Sequence, residues 1–86
     1  MLAAMLKRET FPVDNIYVPV KRRATLDAKR VHEIAESMLK DGQQTPILVR
    51  PDKERYVLVS GLHRLEACRA LGETTVIANI VQARKH

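Results

Sequence analysis

The clearest pattern of apolar and polar positions lies between Asp27 and Gly42 and predicts a helix. Apolar residues recur there at spacings of three and four, as on a helix that lays one face on a core: Val31, Ile34, Ala35, Met38 and Leu39. The Asp27 carboxylate can accept hydrogen bonds from the free amides of the first turn. Gly42 is placed to take the left-handed conformation that ends many helices. We therefore expect a helix at about 27–41.

Short apolar runs on both sides of this helix predict strands. Phe11–Val18 alternates in part and predicts a first strand, and the β-branched segment Thr74–Val81 predicts the last. Ile47–Val49 and Tyr56–Val59 are joined by a polar turn at 50–55, which predicts a hairpin with a loop longer than two residues. Because these two runs are apolar on both faces, we expect them at the centre of a sheet covered by helices.

A second helix is predicted from Leu62 to Leu71, directly after the second strand of the hairpin. Leu65, Cys68 and Leu71 recur at every third residue, and Gly72 follows where a helix-ending glycine belongs. The order of the elements predicts an α+β (α/β) fold, in which a small mixed sheet of about four strands carries two main helices.

The length of 86 residues fits one small domain, which we expect at 11–82, after a flexible leader at 1–10 and before a tail at 83–86. The single cysteine, Cys68, excludes an internal disulfide and favours a reducing cytoplasm. No stretch approaches the roughly 20 apolar residues of a membrane span, so no membrane partner is expected. The three histidines and the scattered acids lack metal-ligand spacing, so we expect no protein-bound metal site.

The formal charge of +5 and the pI of about 9.8 suit an anionic partner such as a nucleotide, a nucleic acid or an acidic protein. A generally basic soluble surface is the simpler alternative. The basic connector Lys21-Arg22-Arg23 is the candidate for non-specific contact with DNA phosphates, although short basic connectors are usually just solvated.

The segment Ser60-Gly61-Leu62-His63-Arg64 is the candidate phosphate site, because there a strand runs through a glycine into a helix. The first amides of a helix have no partner within it, and together with the helix dipole they attract anions. His63 and Arg64 add donors in the first turn, where a cation is unfavourable unless an anion is bound. The alternative is that Ser60 only caps the helix, while His63 and Arg64 are solvated.

The segment HEIAESMLKDGQQTPILVRPDKERYVLVSGLHRLEACRALG resembles the N-terminal domain of ParB proteins, a ParB-like nuclease domain within the ParB/sulfiredoxin superfamily. The resemblance runs from about Val13 to Val81. Its pieces follow the order of the family: Arg23 and Leu26-Asp27 before the helix, Ala35-Glu36-Ser37 within it, Gly42 with Pro46-Ile47-Leu48-Val49, and then Gly61 through Gly72.

This sequence departs from the family at one informative position. The ParB motif is usually Gly-Glu-Arg-Arg and the sulfiredoxin motif is similar to Gly-Cys-His-Arg, where this chain has Gly61-Leu62-His63-Arg64. Leu62 stands in place of the catalytic cysteine and has no nucleophilic atom. We therefore expect no sulfiredoxin activity, and we expect Cys68, on the apolar stripe, to be a buried structural cysteine.

The resemblance implies a nucleoside triphosphate ligand, CTP or ATP, with magnesium as a companion ion. Gly61, His63 and Arg64 would hold its phosphates together with Ser60, and Arg23 would reach in from the connector. The implied role is DNA maintenance (plasmid or chromosome partition) or gene regulation in bacteria. We expect a standalone domain, without its own helix-turn-helix, that acts with a protein partner or as a homodimer.

Two other functions stay open at this point. The fold also hosts phosphotransferases and nuclease-type enzymes, for which His63 would be the catalytic acid or base and Arg64 would stabilise charge. Against an enzyme, no clear carboxylate for a magnesium ion remains once Leu62 replaces the acidic residue. The second alternative is a docking adaptor with a vestigial pocket.

Overall fold

The computed structural model describes residues 8–43 and 45–81, which hold five strands, three α-helices and one 3-10 turn. The strands are β1 (Arg8–Pro12), β2 (Ile16–Tyr17), β3 (Ile47–Asp52), β4 (Arg55–Ser60) and β5 (Thr75–Ile80). The helices are α1 (Val20–Arg23), α2 (Ala28–Asp41) and α3 (Leu62–Ala70), and the 3-10 turn spans Val13–Asn15.

The strands form one mixed sheet in the order β1-β5-β3-β4-β2. β3 and β4 make an antiparallel hairpin, and α3 then carries the chain back so that β5 lies parallel to β3. β1 pairs antiparallel with β5, and β2 pairs parallel with β4. The predicted α+β class is confirmed, with five strands where about four were expected. The two hairpin strands lie inside the sheet, as predicted.

The predicted first strand, Phe11–Val18, is wrong because this segment contributes to both edges of the sheet. β1 ends at Pro12, which has no amide hydrogen, and the 3-10 turn carries the chain from the β5 side to the β4 side. Phe11, Val13, Ile16 and Val18 are all buried, so their spacing imitates a single alternating strand. Burial across a turn therefore produced the misleading pattern.

The N-terminal boundary of the domain also differs from the prediction. Residues 8–10, which were assigned to a flexible leader, form the start of β1, where Arg8 is opposite Asn79 and Thr10 is opposite Ile77. The remaining leader residues 1–7 and the predicted tail 83–86 lie outside the described residues.

The loop of the hairpin is shorter than predicted. Asp52 pairs with Arg55, so only Lys53 and Glu54 connect the strands, and Lys53 takes a positive φ of 58°. Arg55 also donates from Nε to an Asp52 carboxylate oxygen at 3.4 Å. Pro51 is tolerated in β3 because β3 pairs with β5 only over residues 47–49. The polar residues of this segment are thus strand residues, which composition alone could not show.

The predicted helix and its Asp27 cap are confirmed in α2. Asp27 precedes the helix, and its Oδ1 accepts from the Lys29 amide at 3.0 Å. Gly42 follows with a positive φ of 76°, but its ψ of −176° lies outside the left-handed helical conformation that was predicted. The expected basic connector, in contrast, is a helical turn, because the amides of Arg22 and Arg23 both donate to the Pro19 carbonyl. Within the part of the chain that is described, no helix is long and apolar enough to cross a membrane.

One face of the sheet and the apolar side of α3 form the core. Ile47 and Val49 of β3 are opposite Ala78 and Ile80 of β5, so these side chains share a face. Leu65 of α3 is fully buried against this cluster. Burying a Leu or Ile side chain contributes about 1.5–3 kcal/mol. The described residues include no buried polar or charged side chain, so apolar burial holds α3 in place.

Gln43 extends the sheet with its side chain, at the point where β3 has not yet begun. Its Oε1 accepts from the Ile77 amide at 2.8 Å, and its Nε2 donates to the Ile77 carbonyl at 2.9 Å. A neighbouring strand would offer the same pair of groups. The end of α2 is thereby fixed to β5, 34 residues away in sequence.

Candidate functional site

Gly61 forms the turn between β4 and α3 and is required there by packing as well as by backbone conformation. Its φ of 104° and ψ of 31° lie in the left-handed region, which is unfavourable for residues that have a Cβ atom. A Cβ on Gly61 would lie 2.7 Å from Cγ2 of Ile47, well inside van der Waals contact. The glycine therefore lets the helix begin directly above β3, whether or not a ligand is present.

The first turn of α3 has no side-chain cap in the structure. Gly61 occupies the N-cap position, and no side chain makes a capping hydrogen bond there. Ser60 is the last residue of β4 and makes no capping hydrogen bond, so the alternative in which Ser60 caps the helix is wrong. The amides of Leu62, His63 and Arg64 belong to the turn whose N–H groups have no intrahelical acceptor. They form the positive end of the helix dipole.

His63 makes a contact that the sequence did not predict. Its half-buried imidazole accepts a hydrogen bond at Nε2 from the backbone amide of Asp27, at 3.0 Å. An amide can only donate, so Nε2 carries the lone pair and the proton of the neutral ring is on Nδ1. The expectation that His63 donates to a phosphate is therefore restricted to Nδ1. The bond joins the N-terminal ends of α2 and α3.

The two candidate arginines approach the end of α3 from different sides. Arg64 is half-buried, and it has no hydrogen bond or ion pair within the described residues. Arg23 is exposed and lines a hollow of about 370 Å³ with Leu62 and Glu66. Side chains two positions apart on a helix point in directions that differ by about 200° around its axis. Arg64 therefore leaves α3 on the side away from Leu62. A ligand that met both arginines would lie across the end of the helix.

Neither Leu62 nor Cys68 offers a nucleophile to solvent. Leu62 is 6% exposed and belongs to the core cluster. Cys68 is 1% exposed, as predicted for a structural cysteine. Burial raises the pKa of the Cys68 thiol, the nearby Glu73 carboxylate raises it further, and Arg64 opposes the shift. Both residues therefore support the packing of α3.

Positive charge is concentrated beside this helix end. Residues 21–30 contain five of the fifteen basic residues of the chain and one of its ten acidic residues. Lys21, Arg22 and Arg23 are exposed on α1, and Lys29 and Arg30 are exposed in the first turn of α2. The hydrogen bond between His63 and Asp27 brings this segment next to the first turn of α3. Lys29 and Arg30 were not among the basic residues predicted to form a contact surface, although they follow Lys21-Arg22-Arg23 closely.

Elsewhere, the described residues form a further hollow but no cluster that could bind a metal ion. Within residues 8–43 and 45–81, no group of three or more His, Cys, Asp or Glu side chains is arranged to hold a metal ion. A hollow of about 490 Å³ lies at the opposite end of α2 and α3, between Met38, Leu71 and Val76. It shares no residue with the first turn of α3.

Fold and site together define a small α+β domain in which a glycine turn precedes a helix that has no side-chain cap. Residues 4–86 match the family model of the ParB N-terminal domain, and the chain belongs to this family. The superfamily resemblance is thereby confirmed.

Two curated relatives match by sequence. The chain is 34% identical over 74 residues to the chloroplastic/mitochondrial sulfiredoxin of Arabidopsis thaliana, and 32% identical over 62 residues to the probable chromosome-partitioning protein ParB of Campylobacter jejuni. These matches cover 86% and 72% of this chain. They span 59% of the sulfiredoxin and 22% of the ParB protein, less than two thirds of either relative.

Solved structures show the same fold. The crystal structure of Arabidopsis sulfiredoxin superposes with a TM-score of 0.81 at 31% identity, over 90% of this chain and 86% of that one. A C-terminally truncated ParB of Caulobacter crescentus, complexed with CTP-gamma-S, gives a TM-score of 0.73 at 25% identity. The match covers 93% of this chain and 46% of the ParB chain. The fold is therefore shared by an enzyme and by a partition protein.

The packing at Gly61 predicts that Gly61→Ala lowers the free energy of unfolding more than Gly72→Ala does. Gly72 has a positive φ of 77° but open space at the Cβ position, so Gly72→Ala is a matched control. We expect Gly72→Ala to lower the free energy of unfolding by about 1–2 kcal/mol through backbone conformation alone. Gly61→Ala should cost about 1–3 kcal/mol more, because the new methyl overlaps Ile47. Denaturant unfolding measures both, and equal costs would contradict tight packing at Gly61.

Proposed function

We propose that this chain is a nucleotide-binding domain of the ParB type, which acts in DNA maintenance or gene regulation together with a protein partner or a second copy. The observation that carries the proposal is the uncapped first turn of α3 after Gly61, in a chain of the ParB N-terminal domain family. The Caulobacter ParB structure, which contains CTP-gamma-S, supports a nucleotide as the ligand.

The proposed ligand is a nucleoside triphosphate, CTP or ATP, whose phosphates lie across the end of α3. The amides of the first turn and the Arg64 guanidinium donate to the phosphate oxygens, as anion sites at helix N-termini do. Arg23 approaches from the Leu62 side, and the Ser60 hydroxyl is exposed beside the turn. Magnesium is proposed only as a companion ion of the phosphates.

We propose binding rather than catalysis, despite the similarity to sulfiredoxin. Leu62 lacks a nucleophilic atom, and the Cys68 thiol is buried. The acid or base role considered for His63 is restricted, because Nε2 already accepts from Asp27. Glu66, the nearest acid along α3, pairs with Arg69 at 3.3 Å. Repair of a sulfinylated peroxiredoxin above a protein-free control would contradict this part of the proposal.

The nucleotide site predicts a stabilisation that depends on Arg64. A nucleotide at about 100 times its dissociation constant should add roughly 2.7 kcal/mol to the free energy of unfolding, which a small domain shows as a clear rise in Tm. We expect Arg64→Ala to remove most of this rise and to leave the ligand-free protein nearly as stable, since a cation leaves the positive end of a helix. Thermal unfolding with CTP, ATP and other nucleotides, each with and without magnesium, measures the effect.

Lys40→Ala is the charge-matched control for this experiment, because Lys40 is exposed in the last turn of α2, away from the proposed site. It should retain the full rise in Tm. If no nucleotide raises the Tm, and Arg64→Ala only destabilises, Arg64 is a structural residue. The docking adaptor would then be the better account of this domain.

We further propose that the basic segment 21–30 contacts DNA phosphates without reading sequence. Its five cations are exposed, and only Asp27 opposes them. Lys21, Arg22 and Arg23 lie on one short helix at the surface. Contacts to phosphate alone give affinity that is independent of sequence and that falls steeply with salt.

Salt dependence tests this DNA proposal. Each phosphate contact contributes about −0.9 to the slope of log affinity against log salt. Replacement of Lys21, Arg22 and Arg23 by alanine removes three contacts and should therefore flatten the slope by about 2.7 on any duplex. A variant in which Arg8, Lys40 and Arg50 become alanine loses the same charge elsewhere and should keep the slope. Equal slopes in the two variants, or a strong preference for one duplex sequence, would contradict the proposal.

A further inference from the structure

The hydrogen bond between the His63 imidazole and the Asp27 amide joins the two helix ends on which the proposed site depends. We propose that His63 is a positioning residue: in its neutral form, with the proton on Nδ1, it holds the basic segment against the first turn of α3. The inference rests on the proposed function for its ligand, a nucleotide, but the contact itself exists without any ligand.

Local hydrogen bonds link the residues of the segment that precedes Asp27. The amides of Thr25 and Leu26 donate to the carbonyls of Arg22 and Arg23 at 3.0 and 3.2 Å, and the Thr25 hydroxyl donates to the Arg22 carbonyl at 2.7 Å. Asp27 follows this segment, and its carbonyl accepts from the Val31 amide of α2 at 3.0 Å. The bond from the Asp27 amide to His63 therefore connects the segment and the start of α2 to α3.

Among the described residues, His63 is the group that accepts from this amide. The Asp27 carboxylate is already engaged with the Lys29 amide at 3.0 Å. A protonated imidazole carries hydrogen on both nitrogens, so it would direct an N–H at the Asp27 N–H and the bond would be lost. Neutral His63 thus holds the segment in place, and protonated His63 releases it.

The elements that contact α3 carry several charged residues. They are Asp27, Lys29 and Arg30 at the start of α2, Arg23 in the preceding α1, Asp14 in the 3-10 turn, Arg50 and Asp52 in β3, and Arg64 and Glu66 in α3 itself. β5 has no charged residue. Among the described residues, none of these charged side chains makes a hydrogen bond or ion pair with His63. The bond to the Asp27 backbone is therefore the polar contact that sets the state of the ring.

This role and a direct phosphate contact predict opposite responses to pH. If His63 were a phosphate ligand, its protonation would add a positive charge at the site and nucleotide affinity would rise as pH falls. If His63 positions the basic segment, its protonation breaks the bond to Asp27, so affinity falls when the pH of the experiment is lowered from about 8 to about 5. Protonation of the nucleotide itself contributes equally to every variant and cancels in a comparison between them.

Replacement of His63 by glutamine or by asparagine tests the two ring nitrogens one at a time. The amide oxygen of glutamine can take the place of Nε2, whereas the amide of asparagine reaches only the place of Nδ1. We expect His63→Gln to keep the hydrogen bond from the Asp27 amide and His63→Asn to lose it. For nucleotide affinity, a direct phosphate contact through Nδ1–H predicts the reverse order of the two variants. Asparagine keeps a donor at the place of Nδ1, so His63→Asn would then bind the nucleotide more tightly than His63→Gln.

The first measurement uses amide hydrogen exchange of Asp27 by NMR without nucleotide. Loss of one ordinary hydrogen bond should accelerate exchange by about tenfold in His63→Asn, while His63→Gln stays close to the original protein. In the original protein at about pH 8, the ring nitrogens should show His63 protonated on Nδ1. His32, whose Nε2 faces a Glu36 carboxylate oxygen at 3.3 Å, is the internal control and should be protonated on Nε2. Unchanged Asp27 exchange in His63→Asn, or a proton on Nε2 of His63, would overturn the proposal.

The second measurement compares nucleotide affinity across the same pH range. The ratio of the dissociation constant of the original protein to that of His63→Gln should rise as pH falls, because glutamine does not titrate. A ratio that falls makes His63 a direct ligand and overturns the positioning role. If no nucleotide binds at any pH, the proposed function fails, while exchange at Asp27 and the protonated nitrogen still decide the role of His63.

Discussion

Gly61 stands where β4 ends and α3 begins, with no room for a side chain because Ile47 of the neighbouring strand lies 2.7 Å from the position of its Cβ. This contact sets the direction in which α3 leaves the sheet. Leu62, Leu65 and Cys68 then fall on the core, and the chain returns as β5 parallel to β3. The same turn leaves the first amides of α3 without a capping side chain. The same glycine turn therefore underlies both the packing of α3 on the sheet and the helix end at which we propose that an anion binds.

Without a ligand, positive charge is in excess at the N-terminal end of α3. Two helix N-termini meet through His63 and Asp27, and residues 21–30 add a net excess of basic side chains beside them. A cation near a helix N-terminus is unfavourable by about 0.3–1 kcal/mol. A bound polyphosphate would relieve this repulsion, so the arrangement favours an anion over a purely structural role. The family match and the CTP-gamma-S in the Caulobacter ParB structure support a nucleotide as that anion.

Local signals in the sequence were sufficient for the elements whose contacts are local. The apolar spacing of α2, the Asp27 cap and the glycine before α3 are all properties of neighbouring residues, and each was predicted. The hairpin loop and the connector were local errors, whereas the remaining errors and missed contacts concern pairings across the fold. Pro12 divides 11–18 between opposite edges of the sheet, and Gln43 pairs with Ile77 as a strand would. The bond between His63 and Asp27 spans 36 residues. No periodicity encodes such contacts, because they depend on register and on how helices pack.

The central claim is that the first-turn amides of α3 hold the phosphates of a nucleotide. Backbone amide chemical shifts in a titration with CTP-gamma-S and with ATP, each with magnesium, locate the ligand directly. The account predicts that the largest changes occur at Leu62, His63 and Arg64, with smaller changes around Arg23. Changes centred on the hollow between Met38, Leu71 and Val76, or no saturable change at α3, would contradict it.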